Sequence, residues 1–470
     1  MKLDPSILAR IQFAFTVSFH IIFPTMSIGL ASLLAVIEAL WLKTKNPVYQ
    51  QIYRFWLNIF AMGFGIGVVT GIVLSFEFGL GFARFAQIAG PAIGPLIALE
   101  VLTAFFLEAG FLGIMLFGLN RVGPKLHFFA TCLVAVGTLL SASWILSANS
   151  WMQTPSGVAI HDGHLTVTSW LHVLMNPSWL YRLPHMVTAA YLTASFMVAG
   201  VGAWYLLRSK HQDFARRSVA LGTAFATVLI AGQVFIGDLV YGTMLKYQPS
   251  KMQAAEGFWD KQSQSPAPYY WIIFPSQKEQ RNRFAFGTPY LGSIWLTHSL
   301  KGRVEGLRNT PRELQPRMAI VFYAFRVMYC MAMLMFAMGV ASLCLRFRGS
   351  LFNTRWFLWM LVLMTPSGII ATLAGWYVAE TGRQPWVIYG VLKTIDAVSP
   401  VPAQALLSTL IAFVCVYAVF MTAFLTFTLR IIRRGPVDTP SYAEASGSVK
   451  NAFRPHVLDS LKRSVNTQFS

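Results

Sequence analysis

Apolar residues in this chain run on in long unbroken stretches, without the two-residue alternation of strands or the one-sided stripe of helices on a soluble core. Stretches of about twenty residues or more, the length a helix needs to cross a hydrocarbon core, fall at 12–41, 52–79, 92–119, 126–148, 185–207, 217–244, 318–346, 354–379 and 403–432. The pattern predicts an all-α polytopic membrane protein with about nine transmembrane helices in bundles. It divides the chain into six helices over 1–244, a long external loop over 245–317, three helices over 318–432 and a polar tail over 433–470 that is expected to be disordered. The opening MKLDPSILARIQFAF runs into apolar sequence with no small-residue cleavage site, so the first helix is expected to be retained.

Charge gives these helices a direction. Lys43, Lys45, Arg54, Arg121, Lys125, Arg208, Lys210, Arg216, Arg217, Arg346, Arg348, Arg355, Arg430, Arg433 and Arg434 follow the odd-numbered spans, whereas the short connectors on the other side hold only Arg84, Arg182, Arg383 and Lys393. The positive-inside bias then puts the N-terminus outside and the C-terminus in the cytoplasm. A formal net charge of +19 could signal a nucleic-acid partner, but its confinement to membrane-flanking connectors assigns it to topology and anionic lipid instead. Composition agrees, since 55% of residues are hydrophobic and only 12% charged, too apolar for a soluble chain. Cys132, Cys330, Cys344 and Cys415 all lie inside apolar segments without CxxC or CxxCH spacing, which leaves no disulfide framework, zinc site or covalent c-type heme to propose.

Ionisable groups within spans are costly, roughly 2.5–3.5 kcal/mol at a helix centre, so each calls for a partner or a task. His20, Glu77, Glu100, Glu108, His185 and Glu380 stand out. His20 is expected to be the one histidine well inside a span, and His185 opens the fifth. A bilayer-embedded redox protein lacking cysteine motifs would hold heme through His, Met or carboxylate; the other reading is a histidine bonded between helices or, for His185, simply wet. With the N-terminus outside, His20, His185, Met328 and Glu380 share the outer leaflet, which suits a cluster of hemes near the 245–317 loop. Chemistry alone does not single out Met328, because Met331, Met333, Met335 and Met338 follow it and such a stripe is usually packing. Glu100 and Glu108 are about 12 Å apart along an ideal helix and some 80° apart around it. They suit two stations of a proton path with Glu108 nearer the cytoplasm, or a pair of neutral carboxyls bonded to neighbours.

IQFAFTVSFH at 11–20, ALEVLTAFFLEAGF at 98–111, SASWILSANSWMQTP at 141–155 and GWYVAETGRQPW at 375–386 together resemble subunit I of the cytochrome bd-type quinol oxidases. AFRVM at 324–328 and the Lys251 to Glu256 spacing extend the likeness over residues 5 to 432. The resemblance implies that His185 and Met328 ligate a low-spin heme b that accepts electrons from quinol. It implies that His20 and Glu380 ligate a high-spin heme b and a heme d, in an order left open, with Trp376 between them and Arg326 and Arg383 at heme edges. Lys251 and Glu256 match the quinol-binding residues of the external loop; Glu100, Glu108 and Ser141 match the proton path. The implied activity is oxidation of ubiquinol or menaquinol at the outer face, electron transfer through three hemes, and reduction of oxygen to water with cytoplasmic protons, without a pump. The implied partners are a second integral-membrane subunit of similar size, with allowance for a small single-span subunit.

Three departures qualify this expectation. The family's EFQFG reads SFEFG here, with Ser75 and Glu77, and an aspartate after span three is Asn120. The loop is short and resembles the cyanide-insensitive variety, in which a heme b can replace heme d. Two competing readings use the same residues. A proton-coupled transporter would leave the outer-leaflet ligand set unexplained, and a non-catalytic heme-binding assembly subunit would not need intact Lys251, Glu256 and Glu380.

Overall fold

The computed structural model describes residues 4–119, 121–161, 164–261 and 266–437. Asn120 and the tail from 438 onward, expected to be disordered, lie outside them.

Helix α1 (Pro5–Thr44) starts where the Asp4 carboxylate accepts the Ser6 N–H and Pro5 supplies a preset first turn. The same device starts α2 (Pro47–Gly81), with Asn46 accepting from Val48 N–H. Helix α3 (Ala83–Leu99) passes through a π-helical turn, Glu100–Phe105, into α4 (Phe106–Phe117). Then follow α5 (Pro124–Gln153), strands β1 (Val158–His161) and β2 (His164–Val167), α6 (Trp170–Leu174), α7 (Trp179–Leu207), α8 (Gln212–Tyr247) and the short loop helix α9 (Pro249–Glu256). Strands β3 (Tyr269–Ser276) and β4 (Arg281–Thr288), α10 (Leu291–Thr297), α11 (Met318–Phe347), α12 (Arg355–Leu363), α13 (Ser367–Arg383), β5 (Trp386–Ile388), β6 (Leu392–Lys393), α14 (Thr394–Ala397) and α15 (Ala403–Arg434) complete the chain.

Among the described residues, eight helices are long and apolar enough to cross a membrane, or nine if the bent pair α12 and α13 is one span. Two sequence expectations need correction. The 354–379 segment is not one straight helix: it bends by 40° between α12 and α13, where Pro366 cannot donate to the helical ladder. The 92–119 segment is interrupted by the π-turn, whose wider winding invalidates the straight-helix spacing of Glu100 and Glu108. Among the described residues the connectors carry three antiparallel two-stranded hairpins, β1–β2, β3–β4 and β5–β6.

Successive long helices run antiparallel, so the start of α1, the ends of α2, α5, α8 and α13, and the loop helix α9 gather at one end of the bundle. Helices α1 and α7 are the most enclosed. They cross closely because Gly29 lacks a side chain: a Cβ there would overlap the Ala190 carbonyl and stand 2.8 Å from Ala194 Cβ. Small residues at such crossings let helices gain dispersion contacts where no hydrophobic effect drives them together. Gly29→Val should therefore cost the protein about 1–3 kcal/mol through overpacking, read as a lower thermal midpoint of the purified protein. Gly65→Ala, which meets nothing within 4 Å, should leave the midpoint unchanged.

Candidate functional site

Helix α13 brings Glu380 and Arg383 one turn apart at the common end of the bundle, and the two form a close ion pair. The other oxygen of Glu380 accepts hydrogen bonds from Asn149 Nδ2 at 3.0 Å and Gln153 Nε2 at 3.2 Å, both from the last turns of α5. Asn149 and Gln153 are four residues apart and so share a face. The Gln153 side-chain oxygen accepts from Lys251 Nζ at 2.5 Å, and its backbone carbonyl from Gln248 Nε2 at 2.8 Å. Gln153 thus ties α9 to the carboxylate of α13. Lys251 lies against Gly382, where any Cβ would collide with its side chain. Lys251 is buried, and desolvation, reinforced by Arg182 and Arg383 and opposed by Glu380, draws its pKa well below the ordinary lysine value.

Glu256, at the other end of α9, is also buried. Tyr241 hydroxyl donates to it at 3.1 Å and Arg326 Nη2 at 2.9 Å. Arg326 further donates to the carbonyls of Tyr270, at 2.7 Å, and Ala255, at 3.3 Å, and its guanidinium lies 4.3 Å above the Tyr269 and Phe322 rings. Through these contacts Arg326, the arginine expected at a heme edge, also holds the loop to α11.

Between α7, α8, α11 and α13 lies a mainly apolar cavity of about 260 Å³. His185, Met328, Trp376, Lys251, Arg182 and Gln233 line it. Glycines bound it next to the two sulfur and imidazole groups: a Cβ on Gly375 would sit 3.0 Å from Met328 Sδ, and one on Gly237 3.6 Å from His185 Cε1. His185 Nδ1, Arg182 Nη1, and Nε and Nη1 of Arg383 are buried without a protein partner. Apolar walls, two side chains able to ligate iron, and unanswered guanidinium N–H groups suited to carboxylates are the chemistry of a heme with its propionates. The donor set therefore fits the cofactor that the sequence led us to expect.

His20 is held differently. Its Nδ1 meets Thr70 Oγ1 at 2.9 Å, and the Thr70 hydroxyl proton is already committed to the Ile66 carbonyl at 2.8 Å. Thr70 must then accept from Nδ1–H, which leaves Nε2 as the bare lone pair, the tautomer a metal ligand requires. Gly71 leaves room beside the ring. On the neighbouring face of α5, Ser141 hydroxyl donates to Glu100 Oε1 at 2.8 Å, and Gly137, one turn away, makes space for the buried Glu108. Both carboxyls thus lie against one face of α5. Glu77 answers the SFEFG departure: it is buried and accepts from Gln12 Nε2 at 3.0 Å and Thr16 hydroxyl at 2.5 Å, while Gln12 in turn accepts from Thr409 of α15 at 2.8 Å. Ser75 only bonds back to the Gly71 carbonyl.

The sequence reading passed over several groups. Asn149 and Gln153 carry no charge to draw notice, and Arg182 stands in sequence among connector residues. A further buried histidine stands at a helix end. His127 is buried in the first turn of α5, with Nδ1 2.6 Å from Glu38 Oε1 and Nε2 3.0 Å from the Met115 carbonyl. It lies at the very edge of the 126–148 apolar run, beside Pro124 and Lys125, where a histidine draws no notice.

The family profile for cytochrome bd terminal oxidase subunit I matches residues 8–436. The chain is similar to cytochrome bd ubiquinol oxidase subunit 1 of Bacillus subtilis, 34% identical over 459 residues, covering 93% of this chain and 97% of that one. It is also similar to cytochrome bd-II ubiquinol oxidase subunit 1 of Escherichia coli, 33% identical over 496 residues and covering 91% and 96%. The solved bd oxidase from Geobacillus thermodenitrificans superposes with a TM-score of 0.85 at 30% identity, over 92% of this chain and 99% of that one. By these likenesses the chain belongs to the cytochrome bd terminal oxidase subunit I family, the multi-pass quinol:oxygen oxidoreductases of the bacterial plasma membrane.

Proposed function

We propose that this chain holds a low-spin heme b between His185 and Met328 and two further hemes at His20 and Glu380, the last a heme d or a heme b in its place. The observation that carries this reading is the cavity, with two potential iron ligands on its wall and unpartnered arginine N–H groups beside it. Heme, when bound, supplies one-electron carriers and an oxygen-binding iron. Trp376, one turn from Glu380 on α13, fills the space between the sites. Arg383 holds the Glu380 carboxylate in orientation, and Arg182 offers a cation to propionates.

Residues 245–317 form the quinol-binding loop in this reading, between the helices of 1–244 and those of 318–432. Glu256, kept as a carboxylate acceptor between Tyr241 and Arg326, takes a proton from bound ubiquinol or menaquinol. Lys251 donates to a quinol oxygen most strongly as ammonium and only weakly when neutral. Glu108, Glu100 and Ser141 carry protons along α5 from the opposite end of the bundle, which the basic connectors mark as cytoplasmic. Quinol protons leave at the outer face and the protons of water come from inside, so charge separates without a pump. A second integral-membrane subunit, with allowance for a small single-span one, completes the complex, and the short loop supports a likeness to the cyanide-insensitive variety.

Met328→Leu conserves volume and removes the sulfur. Purified Met328→Leu protein should lose the low-spin heme b band, with one heme fewer per chain by pyridine hemochromogen; full heme content with an unchanged band would exclude the assignment. Glu108→Gln should slow oxygen reduction at least about tenfold while heme content and reduction by quinol stay as in the parent, measured by oxygen electrode and stopped-flow. Because the ammonium is the stronger donor and its pKa is depressed, the quinol KM should rise as pH climbs through a range below that of an ordinary lysine. Lys251→Met should have a high KM at every pH and no inflection; persistence of the inflection would assign it to another group.

A further inference from the structure

The β3–β4 hairpin presents a side-chain plate that neither the catalytic reading nor the fold explains. Its register pairs Ile272 with Phe286 and Phe274 with Phe284. Side chains two apart on a strand share a face, so these four lie together on one side of the ribbon. They are 47, 59, 58 and 50% exposed, respectively, whereas Ile273, on the other face, is fully buried against the α9 and α11 core. The Phe274 and Phe284 rings touch, with centroids 5.6 Å apart. Such a continuous apolar face is unusual on a loop surrounded by water.

The height of the hairpin on the bundle indicates what covers it. β3 lies along α11, with the Tyr323 hydroxyl donating to the Ile273 carbonyl at 2.5 Å and Arg326 Nε to the Tyr270 carbonyl at 2.7 Å. At about 1.5 Å per residue, the 30-residue α11 is about 45 Å long. It therefore overreaches a hydrocarbon core of about 30 Å by roughly 7–8 Å at each end. Tyr323, five residues into the helix, stands about 8 Å from its start, at the boundary between headgroups and acyl chains. Ile273 sits at that boundary, Phe274 and Phe284 just above it, and Ile272 and Phe286 just below. The exposed stripe of α11 at the same height, Ile320 and Val327, continues the apolar surface. Toward the headgroups the hairpin turn carries Lys278, Arg281 and Arg283 against the single carboxylate of Glu279, a basic edge matched to phosphates.

We propose that the Ile272, Phe274, Phe284 and Phe286 face of the β3–β4 hairpin is seated in phospholipid at the headgroup–acyl boundary, anchoring the loop to the bilayer surface. The inference needs only the membrane location of the chain and stands apart from the quinol assignment. It is tested by nitroxide labels at Phe284→Cys, Phe286→Cys and Lys278→Cys in the complete oxidase in phosphatidylcholine–phosphatidylglycerol nanodiscs, with the four native cysteines replaced and heme content checked. Power saturation should show positions 284 and 286 relaxed more by oxygen than by a water-soluble nickel chelate, with 286 the deeper, and position 278 the reverse. Greater access to nickel at 284 and 286 would place the plate in water; low access to both reagents would place it against a second subunit or a second copy, and either result overturns the proposal. The unmodified enzyme gives an independent reading. A diazirine-bearing phosphatidylcholine should leave adducts on the peptide 271–288, and their absence contradicts lipid contact.

Discussion

A set of buried charges at one end of the bundle constrains everything around it. Glu380, Arg383, Lys251, Glu256 and Arg326 come from three separate elements, and low dielectric makes each one expensive unless it is answered. The answers are specific: Asn149 and Gln153 for Glu380, Gln153 again for Lys251, Tyr241 and Arg326 for Glu256. Removing one partner of such a pair typically costs about 3–5 kcal/mol, so the network fixes the depth and rotation of α5, α9, α11 and α13 more firmly than apolar packing, which tolerates sliding. The cavity is the space this lattice of polar contacts leaves open. The guanidinium N–H groups left unsatisfied beside it are what an anionic cofactor would complete.

The two ends of the bundle differ in kind. At the site end, polar groups from loop and helix interlock. Deeper along α5, Glu108 and Glu100 lie against residues chosen for smallness and a single hydroxyl, Gly137 and Ser141. The π-turn beginning at Glu100 widens the helix where that carboxyl meets α5, and wider turns of this kind recur at functional positions because the extra residue redirects a side chain. At the far end the Glu38–His127 pair, buried and bonded to the Met115 carbonyl, ties α1, α4 and α5 together, so the helices that bear Glu108 and His20 are held at both ends.

Much of this was legible in the sequence. Hydropathy alone located the spans, because lipid demands long apolar helices, and the rarity of charge inside them singled out His20, Glu77, Glu100, Glu108 and Glu380. What it missed follows from physics that a one-dimensional pattern does not carry. The break at Pro366 and the π-turn change geometry without changing hydropathy. Asn149, Gln153 and Thr70 are neutral, and their importance lies in which charged or imidazole group they face. Arg182 and His127 sit so near the ends of apolar runs that only three-dimensional packing distinguishes a buried residue from a wet one. The β3–β4 hairpin was not anticipated, because the run YYWIIF before QKEQRNR does not alternate, and its apolar side becomes apparent only from the register.

The central claim is that the ligand-lined space at this end of the bundle exists to hold heme. It is tested most directly by a dithionite-reduced minus oxidised spectrum of the unmodified complex, combined with a pyridine hemochromogen count per chain. The account predicts three hemes for each copy of this chain, at least two of them heme b. A well-folded complex with no heme would contradict it.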